Sequence, residues 1–131
     1  MDYKKLIKEA SLAREKAYAP YSKFKVGASI MSEDGSVFSG CNVENASYGA
    51  TNCAERTAIF KAVSEGKRKI NAIAIVGSEK EYTYPCGVCR QVMSEFCNED
   101  MEIILAKNIN DYVIVKFEDI FKGTFSKKDL I

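Results

Sequence analysis

Three cysteines at the starts of two predicted helices could hold a metal ion. Cys86 and Cys89 form a Cys-x-x-Cys pair, which places both sulfurs on one face of the first turn of a helix. Cys53 begins an earlier helix. Both helices follow strands, so their N-termini are expected at one edge of an open sheet, where the positive helix ends favour thiolate. The pattern therefore favours a zinc site made by Cys53, Cys86 and Cys89 over the two alternatives, which are a redox pair and inert core cysteines.

The two other cysteines, Cys41 and Cys97, decide whether this site is open or closed. A structural zinc site has four protein ligands, whereas a catalytic site keeps one position for water. Cys97 lies about 12 Å along the helix from Cys89 at 1.5 Å per residue, so it is expected in the core. Cys41 lies in a predicted strand and is interpreted as a core cysteine, but a closed site with Cys41 as fourth ligand stays an alternative.

Glu55 follows Cys53 by two residues and has two interpretations. In the first, Asn52 caps the helix and Glu55 completes a capping box with it. In the second, Glu55 takes a proton from water at the metal and passes it to a substrate. The sequence contains no histidine that could do this instead.

Two arginines could reduce the negative charge of three thiolates. Arg56 lies three residues after Cys53, and Arg90 lies four residues after Cys86. Either guanidinium could donate a hydrogen bond to a sulfur, which would make the bound metal a better Lewis acid. The alternative for each is an ordinary surface arginine.

The elements around these residues alternate along the chain. Helices are predicted from apolar residues at helical spacing over 2–17, 53–65 and 86–97. Strands are predicted over 25–31, 37–43, 70–77, 102–106 and 112–117. A buried strand, a helix and another buried strand indicate a right-handed parallel crossover. The fold class is therefore α/β, with helices on both faces of a mixed sheet.

The length and composition of the chain limit the classes of binding partner and the cellular compartment that we expect. A chain of 131 residues favours one domain over 1–131, and a net charge of +1 gives no support for nucleic-acid or membrane partners. No segment reaches the roughly 20 apolar residues of a membrane span, and MDYKKLIKEA lacks a signal-peptide core. We therefore expect a cytoplasmic protein with reduced cysteines.

Four segments together resemble the cytidine deaminase family: A-P-Y-S-K-F-K-V-G at 19–27, G-C-N-V-E-N-A-S-Y-G at 40–49, C-A-E-R-T-A-I at 53–59 and P-C-G-V-C-R-Q at 85–91. Zinc deaminases share a Cys-x-Glu or His-x-Glu signature and a Pro-Cys-x-x-Cys signature, in which the glutamate is not a ligand. The resemblance implies a three-layer αβα fold with a mixed five-stranded sheet and one Zn²⁺ per subunit. It also implies hydrolysis of cytidine or deoxycytidine to uridine or deoxyuridine and ammonia.

The resemblance implies a role for each site residue. Cys53, Cys86 and Cys89 would be ligands, Glu55 the proton shuttle and Arg56 the residue that tunes the thiolates. The implied substrate-binding residues are Phe24, Asn42, Glu44, Tyr48, Ala54 and Phe125. Among these, Phe24 would pack on the pyrimidine, and the backbone N–H of Ala54 would contact the base. Asn42 and Glu44 would hold the ribose hydroxyls, since side chains two apart on extended backbone face the same side.

A homotetramer is a further implication, with Tyr48 and Phe125 completing sites across subunit interfaces. The segment FKGTFS, which contains Phe125, lacks the leucine-proline expected before its glycine. Two alternatives remain for the function: a deaminase of another cytosine-bearing small molecule such as blasticidin S, and a structural zinc module. The stretch N-V-E-N-A-S-Y-G favours a nucleoside substrate, and the absence of a basic track argues against a polynucleotide.

Overall fold

In a computed structural model that describes residues 1–130, the helices and strands follow the order predicted from the sequence. The helices are α1 (Tyr3–Arg14), α2 (Ala54–Ser64), α3 (Gly87–Phe96) and the short α4 (Phe117–Ile120). The strands are β1 (Gly27–Ser32), β2 (Val37–Cys41), β3 (Ile70–Val76), β4 (Cys97–Asn108) and β5 (Asp111–Lys116). Ile131, the last residue of the predicted domain, lies outside the described residues.

All five strands form one mixed sheet in the order β2-β1-β3-β4-β5. Only β3 and β4 are parallel, and α3 connects them, as a crossover requires. Helix α1 packs on one face, and α2 and α3 pack on the other. The predicted α/β class and the mixed five-stranded sheet are therefore confirmed. Within residues 1–130, no helix has the length and apolar character needed to cross a bilayer.

Strands β3 and β4 each bury more apolar side chains than any other element, because both of their faces are covered. The side chains that face α2 and α3 are large: Ile73, Ile75, Ile103 and Leu105. Those that face α1 are mostly small: Ala72, Ala74, Val76, Ile104 and Ala106. Each fully buried isoleucine or leucine contributes about 1.5–3 kcal/mol, whereas a surface ion pair contributes about 0–1 kcal/mol. Apolar burial, rather than exposed pairs such as Lys67–Asp34, therefore stabilises this fold.

Two element boundaries differ from the sequence prediction by more than two residues. Helix α1 ends at Arg14 rather than near residue 17, because Tyr18 leaves the helix to exchange backbone hydrogen bonds with Asn42 and Glu44. Strand β4 begins at Cys97 rather than at residue 102, and Cys97 pairs with Ile70 beside a register shift. Cys97 is partly buried against the core, although it belongs to a strand and not to a helix.

The close approach of β1 to α1 requires a glycine at position 27. A Cβ there would lie 1.9 Å from the carbonyl oxygen of Ala10 and 2.6 Å from the backbone nitrogen of Arg14. We expect Gly27→Ala to lower the free energy of unfolding by about 3 kcal/mol, because backbone atoms must move apart.

Urea denaturation followed by circular dichroism measures this change. The matched control is Gly49→Ala, since a Cβ at Gly49 would meet nothing within 4 Å. The control should stay within about 0.5 kcal/mol of the parent protein. Equal unfolding midpoints for the two variants would contradict this expectation, because they would show that β1 and α1 can move apart with little loss of folding free energy.

Candidate functional site

Three sulfurs meet where helices α2 and α3 begin. Cys53 and Cys86 are the N-cap residues of the two helices, and Cys89 lies in the first turn of α3 with no exposed surface. All three Sγ atoms lie within 4.8 Å of one another, and the Sγ atoms of Cys53 and Cys86 are 3.6 Å apart. Three soft thiol ligands at two positive helix ends fit a zinc ion. The predicted convergence of the three cysteines is thus confirmed.

The sulfur cluster has three members, the number of protein ligands in a catalytic zinc site. Among the residues that the structure describes, Cys41, Cys97 and Glu55 do not belong to it. Cys41 lies at the end of the edge strand β2 and is partly exposed, so the interpretation of Cys41 as a core cysteine is wrong. A closed site with Cys41 as the fourth ligand is therefore not formed, and the donor set matches an open site.

Hydrogen bonding favours the thiolate form of Cys53. The Cys89 thiol, and then Arg56 and Cys86, lower the pKa of Cys53 to about 5. Arg56 donates from Nη2 to the Cys53 sulfur over 3.3 Å, as predicted for a group that withdraws charge. These hydrogen bonds therefore favour the thiolate of Cys53, which is the form that binds zinc.

Arg90 differs from the prediction, because it donates to backbone oxygens and not to a sulfur. Its Nε contacts the Pro85 carbonyl over 2.8 Å, and its Nη1 contacts the Ile120 carbonyl over 2.5 Å. Within residues 1–130 it makes no hydrogen bond to a cysteine. Arg90 therefore links the start of α3 to the end of α4, next to the loop that carries Cys86.

Glu55 lies beside the sulfur cluster and is only 4% exposed. The capping-box interpretation is wrong: Cys53 is the N-cap residue, and the Asn52 amide donates to Thr57 Oγ1 over 2.9 Å. Burial raises the pKa of the Glu55 carboxyl to about 7. A carboxyl with this pKa can both accept and donate a proton near neutral pH.

A cavity of about 250 Å³ opens over Glu55 and two of the sulfurs. Four of the six predicted substrate-binding residues line it: Phe24, Asn42, Glu44 and Ala54. Five further lining residues were not predicted: Ser22, Val26, Thr51, Thr83 and Tyr84. The position of Tyr84, directly before Pro-Cys, was a usable signal for that residue, whereas Thr83 has no comparable signal in the sequence.

Gly77, directly after β3, leaves room for Phe24 and Thr83 in the wall of this cavity. A Cβ at Gly77 would lie 2.3 Å from Thr83 Oγ1 and 2.9 Å from Phe24 Cζ. The aromatic ring and the threonine hydroxyl therefore approach the backbone more closely than any other residue type would allow.

Asn42 and Glu44 hold the segment that carries Phe24. The Asn42 amide accepts from the Val26 N–H over 2.9 Å and donates to the Phe24 carbonyl over 2.8 Å. Glu44 Oε1 accepts from the backbone N–H groups of Tyr21 and Ser22 over 3.0 and 3.1 Å. These two side chains therefore face the cavity and also fix its aromatic wall.

The other two predicted substrate-binding residues lie outside this cavity. Tyr48 is 80% exposed and lines an adjoining cavity of about 330 Å³, which shares Ser22, Glu44 and Thr51 with the first. Phe125 is 58% exposed, and its carbonyl accepts a hydrogen bond from Gln91 Nε2 over 2.8 Å. Within one chain, neither aromatic ring joins the residues that surround Glu55.

Comparison with known proteins finds relatives whose sequences match nearly the whole chain. Residues 1–105 match the family described as the cytidine and deoxycytidylate deaminase zinc-binding region. Cytidine deaminases from Sporosarcina psychrophila and Halalkalibacterium halodurans are 51% and 52% identical to the chain over 130 residues. Each match covers 99% of this chain, and 96% and 98% of the respective relative.

A solved structure agrees with these matches. The crystal structure of cytidine deaminase from Burkholderia pseudomallei superposes with a TM-score of 0.89 at 50% identity, covering 95% of this chain and all of that one. With three converging sulfurs and a buried glutamate beside them, the chain belongs to the cytidine deaminase family of zinc-binding hydrolases.

Proposed function

We propose that this protein hydrolyses cytidine and deoxycytidine to uridine and deoxyuridine, with release of ammonia. The observation that carries the proposal is the buried Glu55 carboxyl beside three sulfurs on the wall of a cavity of about 250 Å³. Relatives with about half of their residues identical are cytidine deaminases, which supports the same substrate here.

Cys53, Cys86 and Cys89 would hold one zinc ion per chain. When bound, the ion supplies Lewis acidity, which brings the pKa of a water molecule toward neutrality. Arg56 withdraws charge from the sulfur of Cys53 through its hydrogen bond, which offsets the electron donation of three thiolates.

Glu55 would carry the protons of the reaction. It takes a proton from the attacking water and delivers it to N3 of the cytosine ring as oxygen adds at C4. It then passes the second proton of that water to the amine at C4, which leaves as ammonia. Water and cytidine thus give uridine and ammonia without another reactant. The burial of Glu55 excludes bulk water from competing for these protons.

The cavity walls would hold the two parts of the nucleoside. Phe24 would pack on the pyrimidine ring, and the backbone N–H of Ala54 would contact the base. Asn42 and Glu44 would contact the ribose hydroxyls. Because Glu44 is an anion near the sugar, phosphorylated nucleotides should compete with cytidine only weakly.

Ammonia release from cytidine by zinc-replete protein tests the proposed function. We expect turnover of cytidine and deoxycytidine, and no turnover of blasticidin S at the same concentration. Turnover of blasticidin S alone would assign the site to another cytosine-bearing substrate. Absence of ammonia from all three compounds, with zinc bound, would favour a structural metal site.

A homotetramer whose sites are completed across subunit interfaces is also proposed. Support comes from Tyr48 and Phe125, whose rings are exposed in the single chain and lie away from its own Glu55. Burial of such rings against another chain would remove apolar surface from water. Sedimentation equilibrium should give four times the chain mass of 14.6 kDa, and a monomer mass would contradict the proposal.

One domain over residues 1–131 and a cytoplasmic location stay predictions. The first is supported by the single sheet that all five strands share. The second is supported by the three free thiols of the site, which persist as metal ligands in a reducing compartment.

A further inference from the structure

Ser22 connects the aromatic wall of the cavity to its carboxylate. Its Oγ accepts a hydrogen bond from the Phe24 backbone N–H over 3.0 Å and donates one to Glu44 Oε2. Its own backbone N–H donates to Glu44 Oε1 over 3.1 Å. Ser22 lines the cavity together with these two residues. Three of the cavity residues are thus joined by one hydroxyl group.

The direction of the Ser22 hydroxyl proton follows from the hydrogen-bonding capacity of each group. A backbone N–H can only donate, so Ser22 Oγ is the acceptor toward Phe24. An ionised carboxylate can only accept, so the hydroxyl proton points to Glu44. The hydrogen bond from Ser22 holds the pKa of Glu44 below its usual range, which keeps the carboxylate ionised.

Glu44 retains capacity for one more donor. A carboxylate offers about four acceptor positions. Oε1 accepts from Tyr21 and Ser22 backbone N–H groups, and Oε2 accepts from the Ser22 hydroxyl. One position on Oε2 therefore stays open for a donor that enters the cavity. A sugar hydroxyl is such a donor.

The backbone turn at this point is held in an unfavourable conformation. Lys23, between Ser22 and Phe24, has φ of 60°, in the left-handed region that non-glycine residues rarely adopt. Its N–H donates to the Ala19 carbonyl over 3.0 Å. Such a conformation persists only where surrounding contacts determine it, and the Ser22–Phe24 and Ser22–Glu44 hydrogen bonds are contacts of that kind.

We propose that Ser22 is a positioning residue for the nucleoside sugar, acting through Glu44. Its hydroxyl fixes the Glu44 carboxylate so that the open position on Oε2 faces the cavity, and it ties that carboxylate to the backbone of Phe24. The inference rests on the proposed function, because Glu44 is assigned to the sugar there. Ser22 does not touch the reacting atoms, so its loss should affect binding and leave the chemical step unchanged.

Ser22→Ala is expected to raise the KM for cytidine about 10-fold, the effect of losing one hydrogen bond to a charged group. The kcat should stay within about 2-fold, since proton transfer by Glu55 is unaffected. The matched control is Ser64→Ala, which removes an exposed hydroxyl that donates to the Lys61 carbonyl at the far end of α2. The control should have the kinetic constants of the parent protein.

A double-mutant cycle with Glu44→Ala separates positioning from a general structural role. If Ser22 acts through Glu44, adding Ser22→Ala to Glu44→Ala should change the KM by less than about 2-fold. A sugar without its 2′- and 3′-hydroxyls, as in 2′,3′-dideoxycytidine, should likewise be insensitive to Ser22→Ala. Equal losses in both backgrounds, or a fall in kcat at constant KM, would overturn the inference.

Calorimetric measurement of cytidine affinity in the same four proteins, each also carrying Glu55→Gln, keeps this test independent of turnover. Absence of ammonia release by the parent protein would defeat the proposed function. The Ser22 inference would then stand or fall on the affinities alone, which should show the same 10-fold loss only when Glu44 is present.

Discussion

Replacing Glu55 by glutamine is expected to lower kcat for cytidine about 1,000-fold, within the range that general acid–base catalysis contributes. Glutamine has nearly the same shape as glutamate, so it fits a site that is only 4% exposed. Its amide cannot take a proton from water and return it to the leaving amine. Zinc content should stay at one ion per chain, because Glu55 is outside the sulfur cluster.

Kinetics of ammonia release, metal analysis and circular dichroism on the same preparation measure these quantities together. Glu65→Gln is the matched control, since Glu65 is an exposed glutamate at the other end of α2. It should retain full activity. Loss of zinc in Glu55→Gln, or activity within about 10-fold of the parent protein, would show that Glu55 is a ligand or a structural residue.

Replacing Cys86 by serine should abolish both zinc binding and turnover. Cys86 is exposed and caps α3, so the substitution removes a soft ligand without emptying part of the core. We expect zinc content to fall below about 0.1 ion per chain after dialysis, since two thiolates alone bind the ion too weakly to retain it. The melting temperature measured with zinc present should also fall, because the ion no longer stabilises the folded state.

Cys41→Ser supplies the comparison for this result. Cys41 is partly exposed on β2 and is not part of the sulfur cluster among the described residues. We expect this variant to retain one zinc ion and the parent kcat. If Cys41→Ser lost zinc as Cys86→Ser does, the site would be a closed structural one.

The position of the metal centre could be predicted because it depends on local signals. A cysteine at a helix start, and a Cys-x-x-Cys pair at another, place sulfurs at helix N-termini whatever the rest of the chain does. Alternating and continuous apolar runs likewise identified the five strands, since burial on one face or both gives different patterns. These features explain why the order of elements and the convergence of Cys53, Cys86 and Cys89 agree with the structure.

Residues whose partners come from distant segments could not be placed in this way. Arg56 and Arg90 lie at equivalent helical spacing from cysteines, but only Arg56 contacts a sulfur. The Ile120 carbonyl that binds Arg90 lies 30 residues further along the chain, beyond the reach of helical periodicity. The early end of α1 has the same origin, because Tyr18 pairs with the segment that follows β2.

The dual use of Asn42 and Glu44 also became visible only in the folded chain. Spacing indicated that both side chains face one side, and both do line the cavity. It could not indicate that the Asn42 amide would hold Phe24 and Val26, or that Glu44 would hold Tyr21 and Ser22. The left-handed turn at Lys23 likewise has no signature in the sequence.

X-ray absorption spectroscopy at the zinc edge of the metal-replete protein tests the metal site most directly. Three sulfur neighbours and one lighter neighbour per zinc ion are expected from the cluster of Cys53, Cys86 and Cys89. Four sulfur neighbours would contradict an open catalytic site, because another cysteine would then occupy the position that water needs.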